Sequence, residues 1–432
     1  MSENTANAAG TVNTAGSAGT ADAVHLTPEL VEDPVQGYAN LRAETELPHV
    51  VLPGLQTPVR LITRYADVKA ALTEPRLIRD RSKVPGGTEG SDAQDELMAA
   101  AFEGFPAEYA KYVTDHLSLF DGEDHARRRA PLTRAFTARR IAALRSFVER
   151  AAADLIHELA AKDEVDLLGE FAYPLTTFVI CELVGVDEAD RPQVCAWIRD
   201  FAYGDGSRTA DGLIGIVEYV RALIVRRRAE PTEDLISALT AGGREGDEPF
   251  TEDELVSVVF LLISTGITPP ALFLAHAVLA LFDHPDQLAR LRAEPELLER
   301  AVPELLRHVT LVRIGASMYA TEDFEFAGTA LKKGETVTVA LLAANHDPQE
   351  FGEAPERLDI TREFGRGDGH LAFGHGAHYC LGAALGRLVT SVVFDQVLVR
   401  RPGTALAVGR DELEFGHWPA DGFHLLRLPV RL

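Results

Sequence analysis

The stretch FGHGAHYCLGAALGRL, residues 373–388, places a single cysteine in a glycine-rich loop directly before a helix of small residues. Gly374, Gly376 and Gly382 let the backbone approach a flat group closely, because glycine has no side chain to hold that group away. A helix N-terminus and neighbouring N–H groups stabilise the thiolate form of a cysteine. The stretch therefore predicts that Cys380 is an anionic sulfur ligand of the kind that binds iron.

Two other interpretations of this cysteine are open. A lone cysteine is most often a buried, inert side chain, and we assign that role to Cys181 and Cys195, which lie on apolar helix faces. Zinc is the second alternative, because several histidines lie close to Cys380 in the sequence. These histidines are His370, His375 and His378. Zinc is the weaker hypothesis, since structural zinc sites usually draw on two separated ligand pairs and no second pair is evident.

The composition limits the classes of partner. The chain has 432 residues, of which 46% are hydrophobic and 25% charged, as in water-soluble globular proteins. A formal net charge of -24 argues against nucleic acid and anionic membranes, because both require a large basic face. The apolar run 255–282 approaches the length of a membrane span, but its prolines and polar residues favour a buried core helix. Three cysteines without paired spacing favour a reducing, cytoplasmic location.

Hydrophobic periodicity predicts a mainly α-helical protein with a minor β-sheet region. Residues 1–24 are rich in Ala, Gly, Thr and Asn, which predicts a disordered tail. Residues 25–432 are predicted to form a single domain. The stretches FEFAG and ETVTVALLA, both after Arg313, are typical of strands.

Two segments are candidate lids. The stretch 82–120 is polar, rich in glycine and irregular, and then carries several aromatic residues. A long loop of this kind is either a lid over a binding site or simply a mobile loop. The break YGDGSRTADG at 203–212, between helical patterns, is the second candidate.

The apolar stretch LLISTGITPPALFLAHAVLAL, residues 261–281, contains two adjacent prolines. Each proline lacks the N–H that would bond four residues back, so the carbonyls of Thr265 and Gly266 lose their helical partners. The segment is either two helices, with Thr268 capping the second and Pro269 at its first position, or one kinked helix with free backbone acceptors.

The cysteine loop resembles the haem-binding loop of the haem-thiolate monooxygenases, the cytochrome P450 family. The resemblance implies the cytochrome P450 fold, haem b (iron protoporphyrin IX) as the cofactor and Cys380 as the ligand of its iron. It extends from about residue 25 to the C-terminus, and the N-terminus resembles the soluble bacterial branch. The cofactor-binding residues that it implies in this loop are Phe373, Gly374, His378, Cys380 and Gly382.

Two further motifs resemble the family in order and spacing. Glu304 and Arg307 resemble its Glu-x-x-Arg pair, and Phe351, Pro355 and Arg357 resemble the downstream segment that completes a salt-bridge triad. An isolated pair of this spacing would be a surface ion pair of little consequence. Upstream of the cysteine loop, it implies a buried support for the haem.

The propionates of the haem have candidate partners of their own. His125 and Arg129 share one helical face and resemble the pair that binds the propionates, with His378 as a third contact. The chain departs from the family in segment 314–320, which lacks the usual propionate arginine, and Arg313 is not in register with it. We therefore expect weaker propionate anchoring or another residue in that role.

The second departure lies in the central helix. Thr265 and Gly266 keep the family's small pair, but Thr268 stands at the position of the acid and Pro269 at that of the alcohol. In the family the acid and the alcohol relay protons during oxygen activation, and a proline can neither donate nor relay a proton. We expect these four residues to line the catalytic site, where freed carbonyls hold water or a substrate group.

The resemblance implies a haem-thiolate oxidative enzyme that hydroxylates or tailors a small-molecule natural product, as in antibiotic biosynthesis. The missing relay leaves three mechanisms open: hydroxylation with protons from water or substrate, oxidative coupling or desaturation, and peroxide-driven or non-redox rearrangement. A non-catalytic binding protein of the same fold is an alternative from another class, although such a protein needs no thiolate.

A ferredoxin and its reductase are the electron donors that the resemblance implies. An acidic ferredoxin is expected to dock on arginines near the cysteine loop, steered by charge. These arginines are Arg127, Arg128, Arg134, Arg139, Arg140 and Arg387. A solvated basic face is the simpler interpretation of Arg127 and Arg128.

Overall fold

The structure is a computed structural model that describes residues 23–44, 47–86, 93–101, 105–203, 207–241, 248–365, 369–418 and 422–432. The predicted tail lies outside these residues, except for its last two. Of these two, Val24 belongs to the first strand.

The described part of the chain is mainly α-helical, as the periodicity predicted. The helices are α1 Pro28–Glu32, α2 Gln36–Ala43, α3 Tyr65–Ala71, α4 Ala93–Ala101, α5 Ala107–Thr114, α6 Gly122–Ala135, α7 Ala138–Ala143, α8 Arg145–Leu159, α9 Tyr173–Val184, α10 Arg191–Tyr203, α11 Ser207–Ala229, α12 Leu235–Thr240, α13 Glu252–Asp283, α14 Pro285–Ala293, α15 Leu298–Val309, α16 Leu341–Asn345, α17 Pro348–Phe351 and α18 Ala383–Phe394.

The strands are short and form a minor part of the fold. They are β1 Val24–His25, β2 His49–Val51, β3 Val59–Ile62, β4 Leu77–Ile78, β5 Val165–Asp166, β6 Met318–Ala320, β7 Phe324–Phe326, β8 Thr329–Leu331, β9 Thr336–Val339, β10 Ala405–Leu406, β11 Phe415–Trp418, β12 Gly422–Leu425 and β13 Pro429–Arg431. The largest sheet has the order β1-β2-β3-β9-β6-β4, in which β1 pairs with β2 and β3 with β9 in parallel. The predicted strand FEFAG is β7, whereas only the first part of ETVTVALLA is a strand, since α16 begins at Leu341.

Helix α13 forms the centre of the main hydrophobic core. Most of its residues are buried, and it packs against α9, α10, α11, α15 and α18. Thr251 caps its N-terminus in a capping box with Glu254, because each side chain accepts from the other residue's backbone N–H. Two smaller apolar clusters lie beside the largest sheet.

Helix α13 continues through both prolines, so the interpretation as two helices is wrong. Thr268 lies inside the helix and is buried, and it does not cap a second segment. Helix α9 packs against α13 at this point, and the hydroxyl of Thr176 on α9 lies 3.1 Å from the carbonyl oxygen of Ile267 and 2.9 Å from that of Ala172. Packing on most sides thus offsets the local cost of the prolines.

Two apolar segments, Leu167–Val184 and Glu252–Asp283, have the length and mean hydropathy to cross a membrane. In this fold, 72% and 67% of their most apolar windows are buried inside the protein itself. A core helix of a globular protein has the same properties. The burial agrees with the prediction that the second segment is a core helix.

The first candidate lid contains two helices, α4 and α5, so a structureless loop is the wrong description of the residues that the structure describes between 82 and 120. Helix α5 is linked to two other helices through one tyrosine. The phenol of Tyr112 donates to Asp253 on α13 at 2.6 Å and accepts from Arg221 on α11 at 2.7 Å. The centre of the second candidate, 204–206, lies outside the described residues.

Candidate active site

The loop before Cys380 is closed by its own backbone. The N–H of Cys380 donates to the carbonyl of Phe373 at 2.9 Å, and that of Tyr379 to Gly376 at 3.1 Å. Gly376 has a φ of 72°, and a Cβ there would lie 2.6 Å from the carbonyl oxygen of Leu72. A side chain at this position would therefore be strained and would also push the loop away from α3.

Cys380 is exposed, although neighbouring protein atoms desolvate its sulfur. Burial raises the pKa of this thiol, while the backbone N–H of Gly382 and the guanidinium groups of Arg129 and Arg387 act to lower it. The N–H of Ala383, the first residue of α18, acts in the same direction. The sulfur thus faces several donors that favour its anionic form.

The structure brings the predicted propionate partners together beside this loop. Arg129 Nη2 donates to the carbonyl of Tyr379 at 2.5 Å, which joins α6 to the cysteine loop. The rings of His125 and His378 lie 4.2 Å apart, and Nε2 of His378 lies 3.4 Å from Asp121. Burial, followed by the charges of His378 and Arg129, lowers the pKa of His125 to about 4. Nε2 of this imidazole has no hydrogen-bond partner in the described part of the chain.

The four predicted catalytic residues of α13 fall on two faces of the helix. Thr265 is exposed and Pro269 is half-buried, and their i, i+4 spacing places both on one accessible face. Gly266 faces α9, since a Cβ there would lie 2.6 Å from Ile180 Cγ1. Thr268 is only 7% exposed. Thr265 and Pro269 are therefore the pair that a ligand can reach, whereas Gly266 and Thr268 belong to the packing.

The predicted Glu-x-x-Arg pair is fully buried. Both side chains are 0% exposed, and Arg307 donates from Nε and Nη2 to the two carboxylate oxygens of Glu304 at 2.7 and 2.8 Å. Nη1 of Arg307 also donates to the carbonyls of Asn345 and Pro355 at 2.8 and 2.7 Å. The pair therefore fixes three segments of the chain around one charged centre.

The third member of this network differs from the prediction. The guanidinium that reaches Glu304 is that of Arg362, at 3.1 Å, and Arg357 contributes only its carbonyl to Arg307. Sequence reasoning also missed Asn345, whose side chain donates to Thr310 at 2.7 Å and accepts from the N–H of Leu371 at 2.7 Å. No signal in the sequence singles out this asparagine.

Three of the arginines named in the sequence analysis pair with carboxylates. Arg127 and Arg128 both form ion pairs with Glu254 at the start of α13, so a solvated basic face is wrong for them. Arg313 is 3% exposed, and its Nε lies 2.9 Å from a carboxylate oxygen of Glu32.

The structure gives no support to zinc as the partner of Cys380. Within the described residues, no group of three or more His, Cys, Asp or Glu side chains is placed to hold a metal ion, as zinc would require. All three cysteines are free thiols. Burial raises the pKa of Cys181 to about 12 and also raises that of Cys195, which agrees with inert packing roles for both.

Comparison with known proteins agrees with this geometry. Residues 215–400 match the family model described as Cytochrome P450. The chain is 38% identical to cytochrome P450 107B1 of Saccharopolyspora erythraea over 381 residues, which cover 88% of this chain and 90% of that relative. The chain belongs to the cytochrome P450 family. The vitamin D(3) 25-hydroxylase of Pseudonocardia autotrophica is 36% identical over 89% of this P450 and 90% of its own length.

A solved structure also matches the fold of this protein. The P450 PksS of the bacillaene polyketide synthase of Bacillus subtilis 168 superposes with a TM-score of 0.80 at 32% identity. The match covers 94% of this chain and 99% of PksS. The protein thus has the cytochrome P450 fold, uses haem as its cofactor and is a monooxygenase, which removes the non-catalytic binding protein as an alternative.

Proposed function

We propose that this P450 hydroxylates or otherwise oxidatively tailors a small natural product, with Cys380 as the ligand of the haem iron. The observation that carries the proposal is the thiol of Cys380, held in a closed glycine loop and faced by the N–H of Gly382 and the guanidinium of Arg129. The names of the relatives support the substrate class, since PksS belongs to a polyketide synthase and another relative is a vitamin D(3) hydroxylase.

The side chains beside Cys380 fit the carboxylates of a haem. The unpartnered Nε2 of buried His125, the guanidinium of Arg129 and the ring of His378 are all donors or potential donors on one side of the loop. A buried polar atom without a partner is costly, so a bound group that satisfies it gains affinity. When bound, the haem supplies the oxidative chemistry, while the protein supplies the thiolate, the orientation of the substrate and the exclusion of water.

The substrate class is testable with the purified, haem-loaded protein. A panel of macrolactones, polyketides and sterols is titrated, and the shift of the haem spectrum on displacement of water is recorded for each compound. Products of the best ligands are then analysed by mass spectrometry. A gain of one oxygen atom indicates hydroxylation, and a loss of two hydrogens indicates coupling or desaturation. Binding without any product under reducing conditions, or with peroxide, would contradict a tailoring oxidation.

The accessible face of α13 suggests how protons reach the site without the usual acid and alcohol. The hydroxyl of Thr265 donates to the carbonyl of Leu261 at 2.6 Å, so its lone pairs are left to accept. The carbonyl of Thr265 has no helical donor, because the residue four positions later, Pro269, lacks a backbone N–H. Two acceptors on one residue therefore favour a bound donor, which is a water molecule or a substrate hydroxyl.

The roles of Pro269 in proton supply and in shape are separated by two variants. Pro269→Thr adds a hydroxyl and a backbone N–H, whereas Pro269→Ala adds the N–H alone. Alanine is about 3 kcal/mol more favourable than proline in a helix interior, so we expect Pro269→Ala to raise the free energy of unfolding by up to that amount. We expect only Pro269→Thr to change the fraction of consumed reductant that appears as product.

Equal loss of substrate affinity in both variants would mean that the proline shapes the pocket, and the proton argument would then fail. Identical coupling, affinity and product in both variants and the wild type would leave the prolines without a catalytic role. Coupling is measured as product formed per NADH consumed, with substrate binding followed by the spectral shift.

A ferredoxin is the electron donor in this proposal, and the enzyme works in the cytoplasm. The docking surface consists of exposed Arg134 and Arg139 together with half-buried Arg387 of α18. Arg387 Nη1 lies 3.3 Å from the phenol of Tyr379, and α7 packs on α18, so these arginines lie on the Cys380 side of the protein. Arg127 and Arg128 are left out, because both pair with Glu254, and Arg127 also lies 3.6 Å from a carboxylate oxygen of Glu248.

Charge reversal at Arg139 is expected to slow reduction by an acidic ferredoxin. The side chain is exposed, so the effect should be on association and should shrink at high salt, with a change of about tenfold at low ionic strength. Arg208→Glu on α11 changes the net charge equally outside this surface and serves as the control. Stopped-flow reduction rates that respond to both variants alike would show that only net charge matters.

A further inference from the structure

The chain lacks the arginine that usually contacts a haem propionate from segment 314–320 in proteins of this family. Segment 314–320 contains no arginine. Arg313, just before it, is held elsewhere: its Nη2 donates to Glu32 and to the carbonyl of Phe423, both at 3.1 Å. These contacts tie Arg313 to α1 and β12, so it is committed to joining parts of the fold.

Arg79 lies directly across the sheet from this segment. It follows β4, which pairs antiparallel with β6 so that Ile78 stands opposite Tyr319. Continuing the register by one residue places Arg79 opposite Met318. Side chains opposite each other on antiparallel strands lie on one face with their Cβ atoms roughly 5 Å apart. An arginine at 79 therefore reaches the same space as an arginine at 318 would.

The guanidinium of Arg79 forms no direct ion pair with a carboxylate in the described part of the chain, although the charge of Asp121 acts on it. Its Nη1 donates to the carbonyl of Ser118 at 3.2 Å. The nearby carboxylate of Asp121 accepts instead from the backbone N–H groups of Arg79 and Asp80, at 2.6 and 2.8 Å. Burial lowers the pKa of Arg79. A partly buried cation of this kind favours the binding of an added anion.

The same space contains the other candidate propionate partners. His125 is 4% exposed and its Nε2 has no partner in the described part of the chain, as noted above. Asp121 connects Arg79 to these rings: one carboxylate oxygen accepts from the N–H of Arg79 at 2.6 Å, and the other lies 3.4 Å from Nε2 of His378. The ring of His378 in turn lies 4.2 Å from that of His125, so all three residues belong to one side of the cysteine loop.

We propose that Arg79 donates to a haem propionate and so replaces, from the neighbouring strand, the arginine that segment 314–320 lacks. This inference rests on the haem site proposed around Cys380. The ligand is a carboxylate, and the planar fork of a guanidinium matches carboxylate geometry. Arg79 is thus a cofactor-positioning residue, contributed by a segment that the sequence motifs do not include.

The test measures haem retention rather than turnover. Haem-loaded wild type, Arg79→Gln and Arg79→Lys are mixed with excess apomyoglobin, and the transfer of haem is followed by absorbance. A charge-assisted hydrogen bond is worth enough to predict about tenfold faster loss from Arg79→Gln. Arg79→Lys, which keeps the charge, should fall between. Arg81→Gln is the matched control, because Arg81 pairs with Asp95, and its rate should equal that of the wild type.

Haem dimethyl ester, whose propionates carry no charge, separates a direct contact from a structural role. Wild type and Arg79→Gln reconstituted with this ester should lose it at the same rate. The free energy of unfolding of the apoprotein should fall only slightly in Arg79→Gln, since the apoprotein loses one long hydrogen bond, from Nη1 of Arg79 to the carbonyl of Ser118. If Arg79→Gln does not fold, the comparison of Arg79→Lys with the wild type on haem and its ester carries the test.

Equal haem transfer from the wild type and Arg79→Gln would overturn the proposal, and so would a rate difference that persists with the ester. Arg129→Gln distinguishes these failures from a failure of the haem site itself. If Arg129→Gln accelerates haem loss and Arg79→Gln does not, the site stands and only the role of Arg79 falls. If neither variant changes haem retention, the haem carboxylates do not lie in this part of the protein.

Discussion

Replacement of Cys380 with alanine is expected to abolish turnover and the absorption band that thiolate-ligated haem gives with carbon monoxide after reduction. The reason is that one side chain supplies the sulfur, while the loop is closed by backbone hydrogen bonds such as that from the N–H of Cys380 to Phe373. These bonds do not involve the thiol. The apoprotein should therefore unfold within about 1 kcal/mol of the wild type.

Cys195→Ala is the matched control for this experiment. Cys195 is a half-buried thiol on α10, and burial raises its pKa, so its removal should leave the spectrum unchanged. Retention of the thiolate-type band in Cys380→Ala would remove this residue as the iron ligand. Loss of the band in both variants would point to general damage to the fold. Cys380→Ser adds a further comparison, because it keeps a polar ligand atom of similar size without the sulfur.

The cysteine loop was predictable from the sequence because its chemistry is local. The glycines, the cysteine and the helix that follows lie within sixteen residues, 373–388. The positive φ of Gly376 and the N–H groups of Gly382 and Ala383 beside the sulfur all arise within that stretch. The spacing of His125 and Arg129 on one helix face was readable for the same reason. The fold class followed from periodicity, which records burial within each helix and strand.

Contacts between distant segments could not be predicted in this way. The guanidinium of Arg362 reaches Glu304, whereas that of Arg357 does not. Both arginines lie in the irregular stretch after α17, so only the three-dimensional path of the chain decides between them. Likewise, Glu254 neutralises Arg127 from a position more than a hundred residues away. The sequence alone does not show which carboxylate a charged side chain will pair with. The interpretation of Arg127 and Arg128 as a solvated face was wrong for this reason.

The proline pair shows where a local rule was overridden. Two prolines predict a break, and an isolated helix would break there. In the protein, α13 is buried on most sides, and α9 packs against it beside the prolines. The packing energy of a long apolar helix exceeds the local cost, so the helix continues and the freed acceptors remain on its accessible face.

Removal of Glu304 is expected to have the largest effect on stability. Glu304→Ala leaves Arg307 fully buried without its carboxylate, and breaking a buried pair in this way costs about 3–5 kcal/mol. Arg362 loses its carboxylate as well, although it is only half-buried. We expect a lower yield of folded, haem-loaded protein and a matching fall in the free energy of unfolding, measured by denaturant titration of the apoprotein and the holoprotein.

The control is Glu299→Ala, an exposed glutamate on the same helix, α15, which should change stability by less than about 0.5 kcal/mol. A double variant, Glu304→Leu with Arg307→Met, removes both charges and tests the cause. If the cost comes from the unpaired cation, the double variant should be more stable than Glu304→Ala. The recovery should be partial, because the carbonyls of Asn345 and Pro355 still lose the donor that Arg307 provides.

Equal stability of Glu304→Ala and Glu299→Ala would show that the ion pair does not support the fold. A double variant less stable than Glu304→Ala would instead assign the stability to the hydrogen bonds of Arg307 with the backbone.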